Sequence, residues 1–303
     1  MRSLDLRFDV TTATGIDEPV SVAGTLHLPD DLGAGPLDLL FALHGGGYRR
    51  SYWHPPFADE SYSFASFFTG RSKAVLATDL LGMGDSSKPE PERKLNRARI
   101  AAASAAALDQ AVTALSDGTY ARASAVSVTG IGHSIGGMMI ATQAAAHGGM
   151  DRVAVIGWAN QPMVLCDTDV ASMTGALLPG GYLPSPRADM RALFYLPDVP
   201  QELVEADEAN GSLTPSCLGR DALTPGIAHE ASAAITAPIL VCHSVVDTSP
   251  DPWGEVRYFK ASKDVTLNVL EGAAHCQNFA ATRRQHWERL DRWIDSLPAT
   301  SSS

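Results

Sequence analysis

The sequence predicts an α/β fold, in which a mostly parallel β-sheet is covered by helices on both faces. Two observations carry this reading. Short, nearly continuous apolar runs recur along the chain and end at turn residues, as strands buried on both faces do. Longer helical patterns lie between them, and strand–helix alternation over most of a chain is the signature of a sheet built from crossovers. The 303 residues are 45% hydrophobic and 19% charged, an ordinary globular mix that excludes disorder for the bulk of the chain.

The elements follow in order. Val20 to Leu28 alternates apolar with small or polar residues, as a half-exposed strand does. Leu37 to Leu43 is a nearly continuous apolar run that stops at His44 and three glycines. Ala74 to Leu81 is another, stopping at Gly82, and Asn96 to Leu115 is alanine-rich without Gly or Pro, favourable for a long helix. Ala125 to Ile131 reads as a strand, Ile135 to His147 as a helix and Val153 to Trp158 as a strand. Ile239 to Cys242 and Val265 to Leu270 are the last two strand candidates. Gln277 to Ser296 places Phe279, Trp287, Leu290 and Trp293 on one side of a closing helix, where they pack a core.

One stretch breaks the rhythm. From Gln161 to Pro238 no strong strand appears, prolines are frequent, and Tyr, Leu and Met mix with acidic residues. That is too long for a plain loop in a compact domain, so an inserted helical cap is expected. The chain then divides into core residues 1–160 and 238–298, a cap at 161–237 and a flexible tail at 299–303.

Charge and cysteine usage narrow the function classes. The formal charge is −11, which argues against nucleic acid or an anionic membrane surface as partner, since both need a basic patch. No run approaches a membrane span, and charges interrupt the N-terminal segment Met1 to Asp9, so no secretory signal is read there and a cytoplasmic location is expected. Cys166, Cys217, Cys242 and Cys276 form no C-x-x-C pair, which disfavours a zinc ribbon or a redox dithiol. No metal motif and no phosphate-binding glycine pattern occurs, so no cofactor is expected. Self-association is left open.

The strongest chemical signal is Gly132-His133-Ser134-Ile135-Gly136. It matches G-x-S-x-G and lies between an apolar strand and a helix, where that motif forms a sharp turn that lifts the serine hydroxyl clear of the sheet. A serine hydroxyl needs a base to become a nucleophile. Of nine histidines, His275 alone follows the last apolar strand on a loop bound for the same rim, where open α/β sheets place their sites. His133, beside the serine, and His44, at a strand end, read as structural. The imidazole needs an acceptor to fix its tautomer. Asp247 leaves the Ile239–Cys242 strand toward that rim and is favoured over Asp251, which lies further from the strand end. The order Ser134, Asp247, His275 is the order of this triad type. Oxyanion donors are expected at the Ile135 N–H and in the His44-Gly45-Gly46-Gly47 loop, at Gly46 first and Gly47 second. Tyr48, Trp53, Trp158 and Met163 are candidate pocket liners by position, and Cys276 is a neighbour of the site with no assigned role.

Together these motifs resemble the α/β-hydrolase superfamily over residues 20–160 and 237–297. The stretch Asp79-Leu80-Leu81-Gly82-Met83-Gly84-Asp85-Ser86 is similar to a D-x-x-G-x-G-x-S loop of its esterase-like branch, where that loop is structural and borders the pocket. The resemblance implies an eight-stranded sheet with its second strand antiparallel, and a cap inserted after the sixth strand. Epoxide hydrolases and haloalkane dehalogenases of the family use an Asp nucleophile, so Ser134 disfavours both. The expected activity is hydrolysis of a small or medium apolar carboxylic ester through an acyl-enzyme. A C–C hydrolase, lyase or acyltransferase could use the same residues, and a small-molecule-binding protein could use the same scaffold.

Overall fold

The computed structural model describes residues 1–165, 175–177 and 180–297. The expected tail at 299–303 and Cys166 lie outside the described residues.

The strands are β1 (Arg2–Asp9), β2 (Ser21–Leu28), β3 (Pro36–Leu43), β4 (Ala74–Thr78), β5 (Ala125–His133), β6 (Arg152–Ile156), β7 (Tyr182–Pro184), β8 (Leu213–Pro215), β9 (Ile239–Ser244) and β10 (Val265–Leu270). Eight of them form one sheet in the order β1-β2-β4-β3-β5-β6-β9-β10. β2 runs antiparallel to both of its neighbours, and every other pairing is parallel.

The continuous apolar runs exist because the sheet is buried on both faces. Side chains alternate across a strand, so each face takes every second residue. In β3, Leu39, Phe41 and Leu43 enter one core with Ile100, Ala107, Met138 and Met139. Leu40 and Ala42 enter the other, against Phe64, Trp287 and Leu290. Each buried Leu or Phe side chain contributes about 1.5–3 kcal/mol.

The helix Arg97–Ser116 supplies part of the first layer. The Asn96 side chain caps it by accepting the Arg99 N–H at 2.9 Å. Ala101, Ala103, Ala107 and Ala111 are buried on the helix, where small side chains let it lie close to the sheet. On the opposite layer the closing segment is shorter than its aromatic spacing predicts. Gln277–Phe279 is a single 3₁₀ turn, and the α-helix begins at Arg283. Phe279, Trp287, Leu290 and Trp293 are nonetheless all buried.

The insertion after β6 differs from a purely helical cap. Helices Gln201–Ala209, Ser216–Leu223 and His229–Ala234 are joined by a two-stranded antiparallel ribbon, β7 with β8. Each ribbon strand is three residues long and ends in proline, too short to show an alternating pattern in sequence. Among the described residues no helix is long and apolar enough to cross a membrane.

Because β3, β5, β6, β9 and β10 are parallel, their C-terminal ends open on one rim. The loops leaving that rim carry His44–Gly47, Ser134, Gly157–Trp158, Asp247 and His275. The cap covers the same rim.

Candidate active site

Ser134 occupies the corner between β5 and the helix Ile135–His147, with φ 55° and ψ −123°. That backbone region is strained for a residue with a side chain, at about 1–3 kcal/mol, and it persists because the surroundings leave no alternative. A Cβ at Gly132 would lie 2.1 Å from the Gly136 carbonyl oxygen, and one at Gly136 would lie 2.3 Å from the Leu43 carbonyl oxygen. The glycines therefore let β5, its helix and the end of β3 come into contact at the turn. The Ser134 N–H donates to the Ile156 carbonyl at 2.8 Å, fastening the turn to β6.

Asp247 and His275 meet across the rim. His275 Nδ1 lies 2.6 Å from Asp247 Oδ1, and both side chains are almost fully buried. A carboxylate can only accept, so Nδ1 carries the proton and Nε2 is left as the basic nitrogen. Asp247 also accepts the backbone N–H groups of Ser244 and Thr248, each at 2.8 Å, and the Gln277 amide at 3.3 Å. His243 Nδ1 stands 3.3 Å from its other oxygen. Burial alone would raise this carboxyl's pKa. The attraction of His275, with hydrogen bonding from His243 and His275, outweighs burial and holds Asp247 well below the usual carboxylate range. Asp251, the rival acid, is exposed, caps the turn Pro252–Tyr258 by accepting the Gly254 N–H, and faces Arg257.

Sequence reasoning passed over Gly157, which packs on this pair. It has φ 62°, and a Cβ there would lie 3.1 Å from His275 Cε1 and Nδ1 and 3.4 Å from Asp247 Oδ1. Gly157→Ala is expected to push the imidazole aside and cost about 10²-fold in kcat. Gly148→Ala is the control: Gly148 also has positive φ, but a Cβ there meets nothing within 4 Å. Steady-state rates of the two variants check this, since equal losses would mean backbone strain rather than crowding of His275. The signal was available in sequence as a glycine ending a buried strand run, but nothing local shows which side chain comes to lie against it.

The two histidines read as structural are placed as such. His133 is stacked on Tyr52 with ring centroids 4.7 Å apart, and its Nε2 donates to the His275 carbonyl at 2.9 Å. Burial, aided by repulsion from His275, lowers its pKa to about 3. His286 is likewise buried, with a pKa lowered by burial to about 4. A histidine held neutral in the fold but free to protonate when unfolded stabilises the fold above its unfolded pKa near 6.5. That stability is lost as pH falls toward the folded value. The melting temperature is therefore expected to fall steadily from pH 6.5 to 4, and a flat profile would contradict the burial of these rings. His44 directs Nδ1 to the Gly45 carbonyl at 2.8 Å and accepts the Leu80 N–H on Nε2 at 3.2 Å, so it braces the glycine loop. Beneath that loop Asp79, fully buried, accepts the Arg50 and Asp85 backbone N–H groups at 2.6 and 2.8 Å.

Ser134, Ile135, Gly46 and His275 line one cavity of about 120 Å³. The remaining wall is mostly cap: Leu177, Leu183, Pro184, Met190, Phe194 and Leu223. Of the four candidate liners, Trp158 and Met163 lie on its wall. Tyr48 and Trp53 do not. Tyr48 turns away because its hydroxyl donates to Asp207 at 3.0 Å, within a buried cluster that also holds Arg187, Tyr195 and Cys276. Trp53 is 1% exposed and packs edge-on against Tyr52 and Phe64. Cys276 lies in the same cluster, 3.0 Å from the Tyr48 hydroxyl, with its thiol pKa pushed up by burial. The cap is hydrogen-bonded to the His275 loop directly: the N–H groups of His275 and Cys276 donate to the Leu193 and Phe194 carbonyls at 3.0 and 3.1 Å.

The comparisons with known proteins agree with this architecture. The family model described as "Alpha/beta hydrolase family" matches residues 39–285. No curated protein matches. Among solved structures, a thermophilic esterase from Thermogutta terrifontis superposes with a TM-score of 0.66 at 13% identity, covering 97% of this chain and 98% of that one. A monoacylglycerol lipase from Paleococcus ferrophilus gives 0.62 at 15% identity, over 98% and 99% of the two chains. A proline iminopeptidase from Mycobacterium smegmatis gives 0.63 at 16% identity, over 97% and 98%. At these identities the likeness is one of fold, and the three bear the names of an esterase, a lipase and a peptidase. The fold, the strained serine corner and the extent of the family match lead to one conclusion: this chain belongs to the alpha/beta hydrolase family.

Proposed function

We propose that the protein is a serine hydrolase that cleaves neutral, apolar carboxylic esters through an acyl-enzyme. The observation that carries the reading is the polarity of the cavity. Ser134 and His275 stand in a chamber whose walls, among the described residues, hold no Asp, Glu, Lys or Arg. An ester with an apolar acyl chain loses nothing on entering such a chamber, whereas a free carboxylate or ammonium would be buried without a partner.

In this reading Ser134 Oγ attacks the ester carbonyl while His275 Nε2 takes its proton. Asp247 holds the imidazole through Nδ1–H and stabilises the positive charge that develops. The N–H groups of Ile135 and Gly46 receive the oxyanion. Ile135 is the first residue of its helix, so its N–H has no intrahelical acceptor. Gly46 is preferred over Gly47 because the Gly47 N–H is already taken by the Thr214 hydroxyl at 2.8 Å. His275 then returns the proton to the leaving alcohol, and water, activated by the same nitrogen, releases the acid.

The test compares two p-nitrophenyl esters of equal chain length, butyrate and hemisuccinate, which differ by a terminal carboxylate. Butyrate is expected to exceed hemisuccinate by about 100-fold or more in kcat/KM, since the charged group must be desolvated unpaired. Equal rates, or a preference for hemisuccinate, would overturn the apolar-ester assignment.

A further inference from the structure

We infer that Thr214, a cap residue, is a positioning residue for the oxyanion loop, so that the cap forms part of the site's working geometry and is more than its roof. The inference rests on the ester-hydrolase reading above. Gly47 is clamped from both sides by one cap segment. Its N–H donates to Thr214 Oγ1 at 2.8 Å, and its carbonyl accepts the Ser212 N–H at 2.9 Å. Thr214 is 8% exposed, so water is a poor substitute acceptor at that position. The β7–β8 ribbon sets its place, with Thr214 paired opposite Leu183.

The loop is shaped to receive this clamp. Gly47 has φ 72°, and a Cβ on it would lie 2.5 Å from the Ser185 Cβ just beyond β7. The loop and the ribbon are therefore in direct contact, which only a glycine in this conformation permits. Gly46 is squeezed next to it. A Cβ there would lie 2.7 Å from Ile135 Cδ1 and 4.0 Å from Thr214 Oγ1. Gly46, Ile135 and Thr214 all line the same cavity. An N–H contributes to an oxyanion hole only when it is held in the right direction beforehand. By fixing the peptide between Gly46 and Gly47, Thr214 fixes the exit of the loop whose previous N–H is to face the oxyanion.

Thr214→Val keeps the side-chain shape and removes the acceptor, and Thr214→Ser keeps the acceptor. With p-nitrophenyl butyrate, the Val variant is expected to lose about 10- to 100-fold in kcat with KM changed by no more than about twofold. The Ser variant is expected to stay within about threefold of the parent. Binding of a trifluoromethyl ketone, which mimics the tetrahedral oxyanion, should weaken in the same proportion as kcat. Hydrogen–deuterium exchange of the segment containing Gly47 supplies a readout independent of turnover: faster exchange in Val, and parental exchange in Ser. A Val variant with parental kcat, or with a raised KM alone, would make Thr214 a pocket wall and overturn the inference. If the parent hydrolyses no ester, the functional reading fails, while exchange at Gly47 still decides whether the clamp exists. Should the Val variant not fold, Thr214→Ala gives the same comparison.

Discussion

Asp247→Asn is expected to leave the fold intact and lower kcat on p-nitrophenyl butyrate by about 10⁴-fold, as the equivalent change does in a well-studied serine protease. The structure explains why the loss should be so large. Asp247 accepts from His275 and from the Ser244 and Thr248 backbone N–H groups. Oδ1 faces His275 and the Thr248 N–H, and Oδ2 faces the Ser244 N–H. An amide that keeps its oxygen on the Ser244 side therefore turns its NH₂ toward His275, and the reverse turns the NH₂ against the Ser244 N–H. In the first case the ring must accept on Nδ1 and carries its proton on Nε2, where it cannot act as base. The amide has the shape of the carboxylate, so the circular dichroism spectrum should be unchanged, and the backbone N–H left facing the NH₂ should lower the melting temperature without unfolding the protein. A parental rate in Asp247→Asn together with a collapsed rate in Asp251→Asn would move the acid to Asp251.

The second large effect is on stability. Asp207→Ala is expected to destabilise the protein by about 3–5 kcal/mol, because it leaves the buried Arg187 guanidinium without its counter-charge. Arg187 and Asp207 have side chains only 5% and 2% exposed. The Tyr48 and Tyr195 hydroxyls lose their acceptor in the same change. Glu208→Ala, one residue along, is the contrast. It removes a pairing with Arg191, whose side chain is 44% exposed, and is expected to cost under about 1 kcal/mol. Urea denaturation of both variants decides the matter. Equal midpoints would mean that the Asp207 cluster does not tie the cap to the core.

The rim residues were legible in sequence because their constraints are local. The glycines around Ser134 are required by contacts within five residues and with the end of the adjacent strand. Asp247 and His275 could be placed because each follows a strand that could itself be recognised, and a parallel sheet sends all such loops to one edge. The pocket was less legible. Tyr48 follows the glycine loop directly, yet it is turned aside by Asp207, 159 residues away in the chain. Trp53 is claimed by an aromatic core assembled from distant segments. The cap ribbon could not be seen at all, since three-residue strands have no period. β1 was hidden for another reason. Leu4, Leu6 and Phe8 alternate with charged residues along an edge strand, a pattern noticed only as evidence against a secretory segment.

Ser134 as the nucleophile of an ester hydrolase is tested by comparing wild type with Ser134→Ala for turnover of p-nitrophenyl butyrate and for covalent labelling by a fluorophosphonate. Turnover and a single label are expected in the wild type, with a loss of about 10³-fold or more in kcat and no label in the variant. Undiminished turnover or labelling in Ser134→Ala would place the nucleophile elsewhere.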